Sequence, residues 1–231
     1  MIPSWTVVVV GDKKTPKNWS VPGVHFLSVD TQLSLGYGIV ESMPYKSYTR
    51  KNIGYLYAIE HGAEWIYDTD DDNKPYDKKT GLKEEFNPFA PPVVIDPGIY
   101  APWNSQNTLF HRRAFFTLFL PTTVQFRVTD IWRSYFAQKL LHIIGETISF
   151  NPANAVQFRN AHDYLADFES ESDVYLKSGK LVDFLNQWHC KDEEISSCTI
   201  SLAVEFNRNN FWNKRDVDLV RKWIEDLKTV G

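Results

Sequence analysis

The run Ala63-Glu64-Trp65-Ile66-Tyr67 leads straight into Asp68-Thr69-Asp70-Asp71-Asp72-Asn73, so an apolar segment ends in four carboxylates within five positions. A strand closed in this way holds its first carboxylate rigidly, while the turn that follows swings the others round. Like charges this close repel unless water solvates them fully or a cation sits among them. Oxygen-only ligands favour a hard ion: magnesium, manganese or calcium, of which the first two leave coordination positions open for phosphates. The functional reading is a metal–diphosphate site on an α/β sheet. The plain one is a solvated acidic loop, which Asn73-Lys74-Pro75-Tyr76-Asp77 continues as turn material.

Upstream, Ser47 to Gly62 reads as a helix, with Ser47 as N-cap and Gly62 as its stop. Arg50 and Lys51 lie in its first turn, where the helix dipole disfavours cations. Together with the amides of a helix start they would suit a phosphate; otherwise they face solvent. Further upstream, Trp5 to Val10 is a β-branched run closed by Gly11-Asp12, read as a buried strand of a parallel sheet. Ligands in open α/β sheets lie beyond the carboxyl ends of the strands, which makes Gly11, Asp12 and Lys13 candidates for touching a nucleotide or else a simple turn. Val24 to Ser28 is a second strand.

Downstream, Val93 to Asp96 resumes strand character. The piece Asn104-Ser105-Gln106-Asn107, after Trp103, carries amides that serve sugar hydroxyls or peg a loop. Ala114 to Leu120 is an apolar helix or strand. Thr129 to Ile144 is the strongest helical pattern, opened by Thr129-Asp130 as a cap and closed by Gly145. Asp130 at that helix start suits capping, and also a base or an anchor for an acceptor hydroxyl. The C-terminal third, with helices near Leu181 to Trp188 and Val217 to Leu227, reads as scaffold.

The 231 residues suffice for one sizeable domain, and 43% hydrophobic with 23% charged residues is globular composition. A net charge of -4 argues against non-specific nucleic-acid binding, which positive charge drives. Eight Trp among 15% aromatics are compatible with stacking on sugar rings. No apolar run reaches about 18 residues and Met1 to Trp5 has no basic region, so neither a membrane span nor a signal peptide is expected in this sequence. It begins almost at once with a strand, as a domain of a longer protein would. Cys190 and Cys198 are two unrelated thiols or one small disulfide loop, and their spacing does not choose.

The segments KSYTRKNIGYLYAIEHGA (46–63) and IYDTDDDN (66–73), with NSQNTLF (104–110), DIWRSYFAQ (130–138) and QFRNAHD (157–163), resemble the STELLO-type family of glycosyltransferases, also known as DUF288. Asp70-Asp71-Asp72 is also similar to the triple-Asp motif of the reversibly glycosylated polypeptides. The resemblance, from Trp5 to about Cys198, implies a GT-A-like single domain over 1–231: a mostly parallel central sheet flanked by helices, with a Rossmann-like nucleotide-sugar half. Its parts would be that half at 1–100, an acceptor-side half at 101–165 and a helical scaffold at 166–231. It implies Asp70 and Asp72 as ligands of Mn2+ or Mg2+ with His162 as a third, and Asp68 and Asp71 supporting them or contacting the ribose. Gly11, Asp12, Arg50, Lys51 and Asn52 would lie at the nucleotide, and Trp103, Asn104, Gln106, Asn107 and Arg133 on the substrate side. Asp130 falls where inverting enzymes put their base and retaining ones an acceptor-side acid. The resemblance further implies a Golgi lumen, where Cys190 and Cys198 would pair.

The expectation is therefore a metal-dependent transferase taking a sugar from a nucleotide diphosphate, a uridine diphosphate sugar, to a carbohydrate or protein acceptor. Two rivals stand beside it: a non-catalytic scaffold that binds a polysaccharide synthase or other partner protein, and a calcium-stabilised lectin-like module.

Overall fold

The computed structural model describes residues 5–75, 87, 89–157 and 163–231. In chain order the elements are β1 (Val7–Val10), β2 (Val24–Leu27), α1 (Val29–Ser34), α2 (Lys51–Glu60), β3 (Trp65–Thr69), β4 (Asn73–Pro75), β5 (Val93–Val94), β6 (Asn107–His111), α3 (Thr129–Ile143), β7 (Ser149–Phe150), β8 (Ala155–Gln157), α4 (Tyr164–Ser170), α5 (Ser172–Gln187), α6 (Ile195–Arg208) and α7 (Lys214–Val230). The chain is thus mixed α/β. It forms two compact units, each drawn from separated stretches: 1–66, 111–124 and 199–231 in one, 67–110 and 125–198 in the other.

In the first unit β1 and β2 pair in parallel, Val7 against Val24 through Val10 against Leu27. The helix expected from Ser47 begins as a 3-10 turn, Tyr48–Arg50, before α2 proper. Ser47 Oγ accepts from the Thr49 amide, and Gly62, with φ +77°, ends the helix. A Cβ on Gly54 would come 2.6 Å from Val10 Cγ2, so α2 lies directly on β1 because position 54 carries no side chain. Ile53, Leu56, Leu118, Leu120, Phe206 and Trp223 are buried here. Each such side chain contributes roughly 1.5–3 kcal/mol by leaving water. The apolar segment at Ala114 to Leu120 begins as a 3-10 helix, Arg112–Thr117. Two buried carboxylates of α7 fasten loops from elsewhere in the unit. Asp216 accepts from the amides and hydroxyls of Thr122 and Thr123, and Asp226 from the amides of Gly38 (2.7 Å) and Ile39 (2.9 Å).

In the second unit α3 packs against α5, burying Trp132, Phe136, Leu140, Leu181 and Leu185. Around it are short antiparallel ladders, β4 with β8 and β5 with β7. β3 pairs with β6. Cys190 and Cys198 are disulfide-bonded, closing the loop ahead of α6 and deciding between the two readings of the pair. Among the described residues no helix is long and apolar enough to cross a membrane.

Candidate functional site

β3 alternates as a half-buried strand should, with Trp65, Tyr67 and Thr69 outward and Ile66 and Asp68 inward. The inward Asp68 is 4% exposed, and a carboxylate there needs a partner. The Arg133 guanidinium from α3, itself 0% exposed, lies 3.7 Å away. The same Arg133 donates through Nη2 to Ser105 Oγ (2.6 Å) and lies over the Phe110 ring at 5.1 Å. Ser105 in turn donates its amide to Asp130 Oδ2 (2.9 Å), while the Ile131 amide donates to Asp130 Oδ1 (3.0 Å). Burial pushes the Asp130 carboxyl upward, against the opposing pull of the Ser105 amide and the Arg133 charge. Asp68, Ser105, Asp130 and Arg133 thus form one connected group.

Asp130 is not the cap of its helix: α3 starts from Val128 with no side-chain cap bond, and Asp130 stands one residue inside the first turn. This leaves its carboxylate directed to the 104–107 loop. Arg133, expected on the substrate side, is a fully buried guanidinium bonded to Ser105 and orders the site from behind. Asp68, 4% exposed, is placed for the supporting one of its two expected roles.

Beyond Thr69 the acidic turn opens toward solvent, with Asp71 and Asp72 exposed and Asp70 half-buried. Its far end is anchored twice. Asn73 Nδ2 donates to the Gln106 carbonyl (2.5 Å), and Gln157 Nε2 donates to Asp72 Oδ2 (2.8 Å). The amide-rich piece therefore works largely as a peg. The Asn104 side chain bonds the Gln106 amide and Oε1 (3.3 Å each), and Asn107 takes the Tyr67 hydroxyl (2.5 Å) and gives to Asn154 (2.7 Å). Trp103 donates its backbone amide to Ser134 Oγ (3.2 Å), and its indole N–H is buried with no hydrogen-bond partner among the described residues. His162 lies outside the described residues. Among those described, no three His, Cys, Asp or Glu side chains converge as a metal cage. Asp70 and Asp72 are alternate positions of one turn and offer oxygen alone, a donor set that fits Mn2+ or Mg2+ in kind.

The first unit carries a separate cluster at the end of β1. The Gly11 amide and carbonyl are both engaged, with Leu27 O (2.9 Å) and Gln32 Nε2 (2.7 Å). Asp12 accepts from the amides of Lys13 (2.6 Å) and Ser47 (3.2 Å). Arg50, 2% exposed, donates through Nε to Gln32 Oε1 (2.9 Å) and through Nη1 to Met43 O (3.3 Å). Burial lowers the pKa of its guanidinium, with Tyr45 and then Asp12 acting the other way. Lys13 Nζ and Arg50 both stand over the Tyr45 ring, at 3.9 and 4.5 Å. Arg50 is thus a buried strut and not the solvent-facing charge that was one alternative read from the sequence. Asn52, 0% exposed, spends its amide on Leu120, donating to O (3.0 Å) and accepting from N (2.8 Å). Lys51 is half-exposed at the start of α2.

Sequence reasoning missed Ser105, Gln157, Gln32 and Tyr45. Ser105 and Gln157 lie inside the segments 104–110 and 157–163, but their bonds, like that of Gln32 to Arg50, reach residues 18 to 85 positions away, and Tyr45 acts through its ring under Lys13 and Arg50.

Residues 127–231 match a protein family described as STELLO glycosyltransferases. The chain is 27% identical to an Arabidopsis thaliana protein named "Probable glycosyltransferase STELLO1" and 26% identical to one named "Probable glycosyltransferase STELLO2". Each alignment takes in 100% of this chain and 42% of the relative, so the chain spans less than half the length of either.

Proposed function

From its likeness to the STELLO glycosyltransferases we propose that this chain belongs to that family and is a metal-dependent transferase of the GT-A kind. It moves a sugar from a nucleotide diphosphate, in our reading a uridine diphosphate sugar, to a hydroxyl of a carbohydrate or protein acceptor. The observation that carries this reading is β3 ending in the buried Asp68, held by Arg133, with Asp70 and Asp72 presented just beyond it. Asp70 and Asp72 would hold Mn2+ or Mg2+, which would supply positive charge against the departing diphosphate. Gln157, bonded to Asp72, fixes one of these carboxylates from the side. Asp130, held by the Ser105 and Ile131 amides, aligns the acceptor hydroxyl and takes its proton. The Cys190–Cys198 disulfide supports an oxidising compartment, in keeping with a Golgi lumen.

Titration calorimetry with uridine diphosphate, with and without manganese, tests the reading. Micromolar binding that a chelator abolishes is expected, and Asp72→Asn should remove the metal-dependent part. If the folded protein binds no nucleoside diphosphate, the transferase reading fails and the partner-binding scaffold takes its place.

A further inference from the structure

The loop between β1 and β2 holds the sequence Asn18-Trp19-Ser20, and Asn18 is the one asparagine in the chain followed by a non-proline residue and then Ser or Thr. This is the acceptor pattern for Asn-linked glycosylation, which needs a surface loop and a secretory compartment. A tripeptide of this kind arises often by chance, so its setting in the fold decides its weight.

Trp19 divides the tripeptide. Its amide donates to the Pro16 carbonyl (3.0 Å), which closes a tight turn, and its indole packs on Phe26 of β2 with ring centroids 4.9 Å apart. The middle residue is thereby pinned to the unit, and Asn18 and Ser20 on either side of it are both exposed. Neither of their side chains has a hydrogen-bond partner among the described residues. The acceptor amide and the hydroxyl that must assist it therefore stand exposed, with no hydrogen bond among the described residues to break.

An independent observation concerns the compartment. Cys190 and Cys198 are bonded, and structural disulfides form and persist where Asn-linked glycans are added.

We propose that Asn18 is a glycan attachment site. The co-reactant is an oligosaccharide linked through a diphosphate to a lipid, delivered by the transferring enzyme of the secretory pathway. The Asn18 amide nitrogen displaces the diphosphate at the anomeric carbon. One carbon–nitrogen bond forms, the carbon–oxygen bond breaks with its electron pair leaving on the lipid diphosphate, and one amide proton passes to a base of the transferring enzyme. This rests on the luminal part of the functional reading and is independent of the acidic turn.

The test is mass spectrometry of the protein purified from its own cells, on two peptides. Release by peptide N-glycosidase in heavy-oxygen water should convert Asn18 to a labelled aspartate. Alkylation before and after reduction reports whether Cys190 and Cys198 were bonded. Labelled Asn18 with bonded cysteines is the expected result, and Ser20→Ala should abolish the label while leaving the disulfide. Bonded cysteines with unlabelled Asn18 would overturn the site and leave the luminal reading standing. Free thiols with unlabelled Asn18 would overturn both.

Discussion

Asp130 and Asn52 show how differently two polar side chains of similar size are used. Asp130 keeps a raised carboxyl at the edge of a buried group, held by the Ser105 amide. Asp130→Asn is expected to lower sugar transfer by about 10²- to 10⁴-fold, the usual reach of general base catalysis. Its nucleotide affinity should stay unchanged, which calorimetry checks. In the parent protein the acid limb of the rate profile should lie above the ordinary carboxylate range, since the base works only when ionised. Asn52 does the opposite kind of work. Asn52→Ala leaves the Leu120 N–H and C=O buried without partners, and denaturant melts should show a loss of roughly 2–5 kcal/mol. At this scale the sequence was half legible. The four carboxylates announced themselves by type and spacing, but whether a given one is exposed, like Asp72, or sunk, like Asp68, depends on which face of β3 the pleat assigns it. Arg50 was misplaced for the same reason, since nothing in its neighbours along the chain reveals that Gln32 and Met43 close over it.

Among the elements, α3 was the most legible, its pattern from Thr129 holding to Ile143, and α2 was legible because Ser47 and Gly62 bracket it with chemistry that acts locally. The close approach of α2 to β1 was not legible, since it is a contact between Gly54 and Val10 across 44 positions. Gly54→Ala must push its new methyl into Val10 Cγ2, and the strain should cost about 1–3 kcal/mol despite the better helix propensity of alanine. Comparing this melt with that of Gly62→Ala, where the penalty arises from φ +77° with open space around it, separates packing from backbone strain. α1, α4 and α6 escaped notice. α4 has no buried residue to give it a periodic face, and α6 lies where Cys190 and Cys198 drew attention to a polar loop.

For the molecule as a whole, the mixed α/β class follows from β-branched runs alternating with helical ones. The ladders are another matter: β4 and β8 are three residues long, too short for periodicity to register, whereas β5 lies in the Val93 to Asp96 run read as a strand. Stability against pH should carry the mark of His142, which burial and the nearby Lys139 keep below its ordinary pKa. The unfolded chain takes up that proton first as pH falls below 6.5, so this contribution is complete at neutral pH and is lost on acidification through the lowered folded value. A His142→Asn variant should show a shallower fall in stability from about pH 7 to 5 in chemical melts than its parent.

The clamp of Asp226 on Gly38 and Ile39 has a consequence in time. The two amides leave the ribosome 188 and 187 residues before the carboxylate that receives them. At ~5–20 residues per second that is a wait of roughly 10–40 s. The segment after α1 is thus synthesised early and fastened last. Until α7 emerges, any holding of that segment falls to other contacts or to a chaperone.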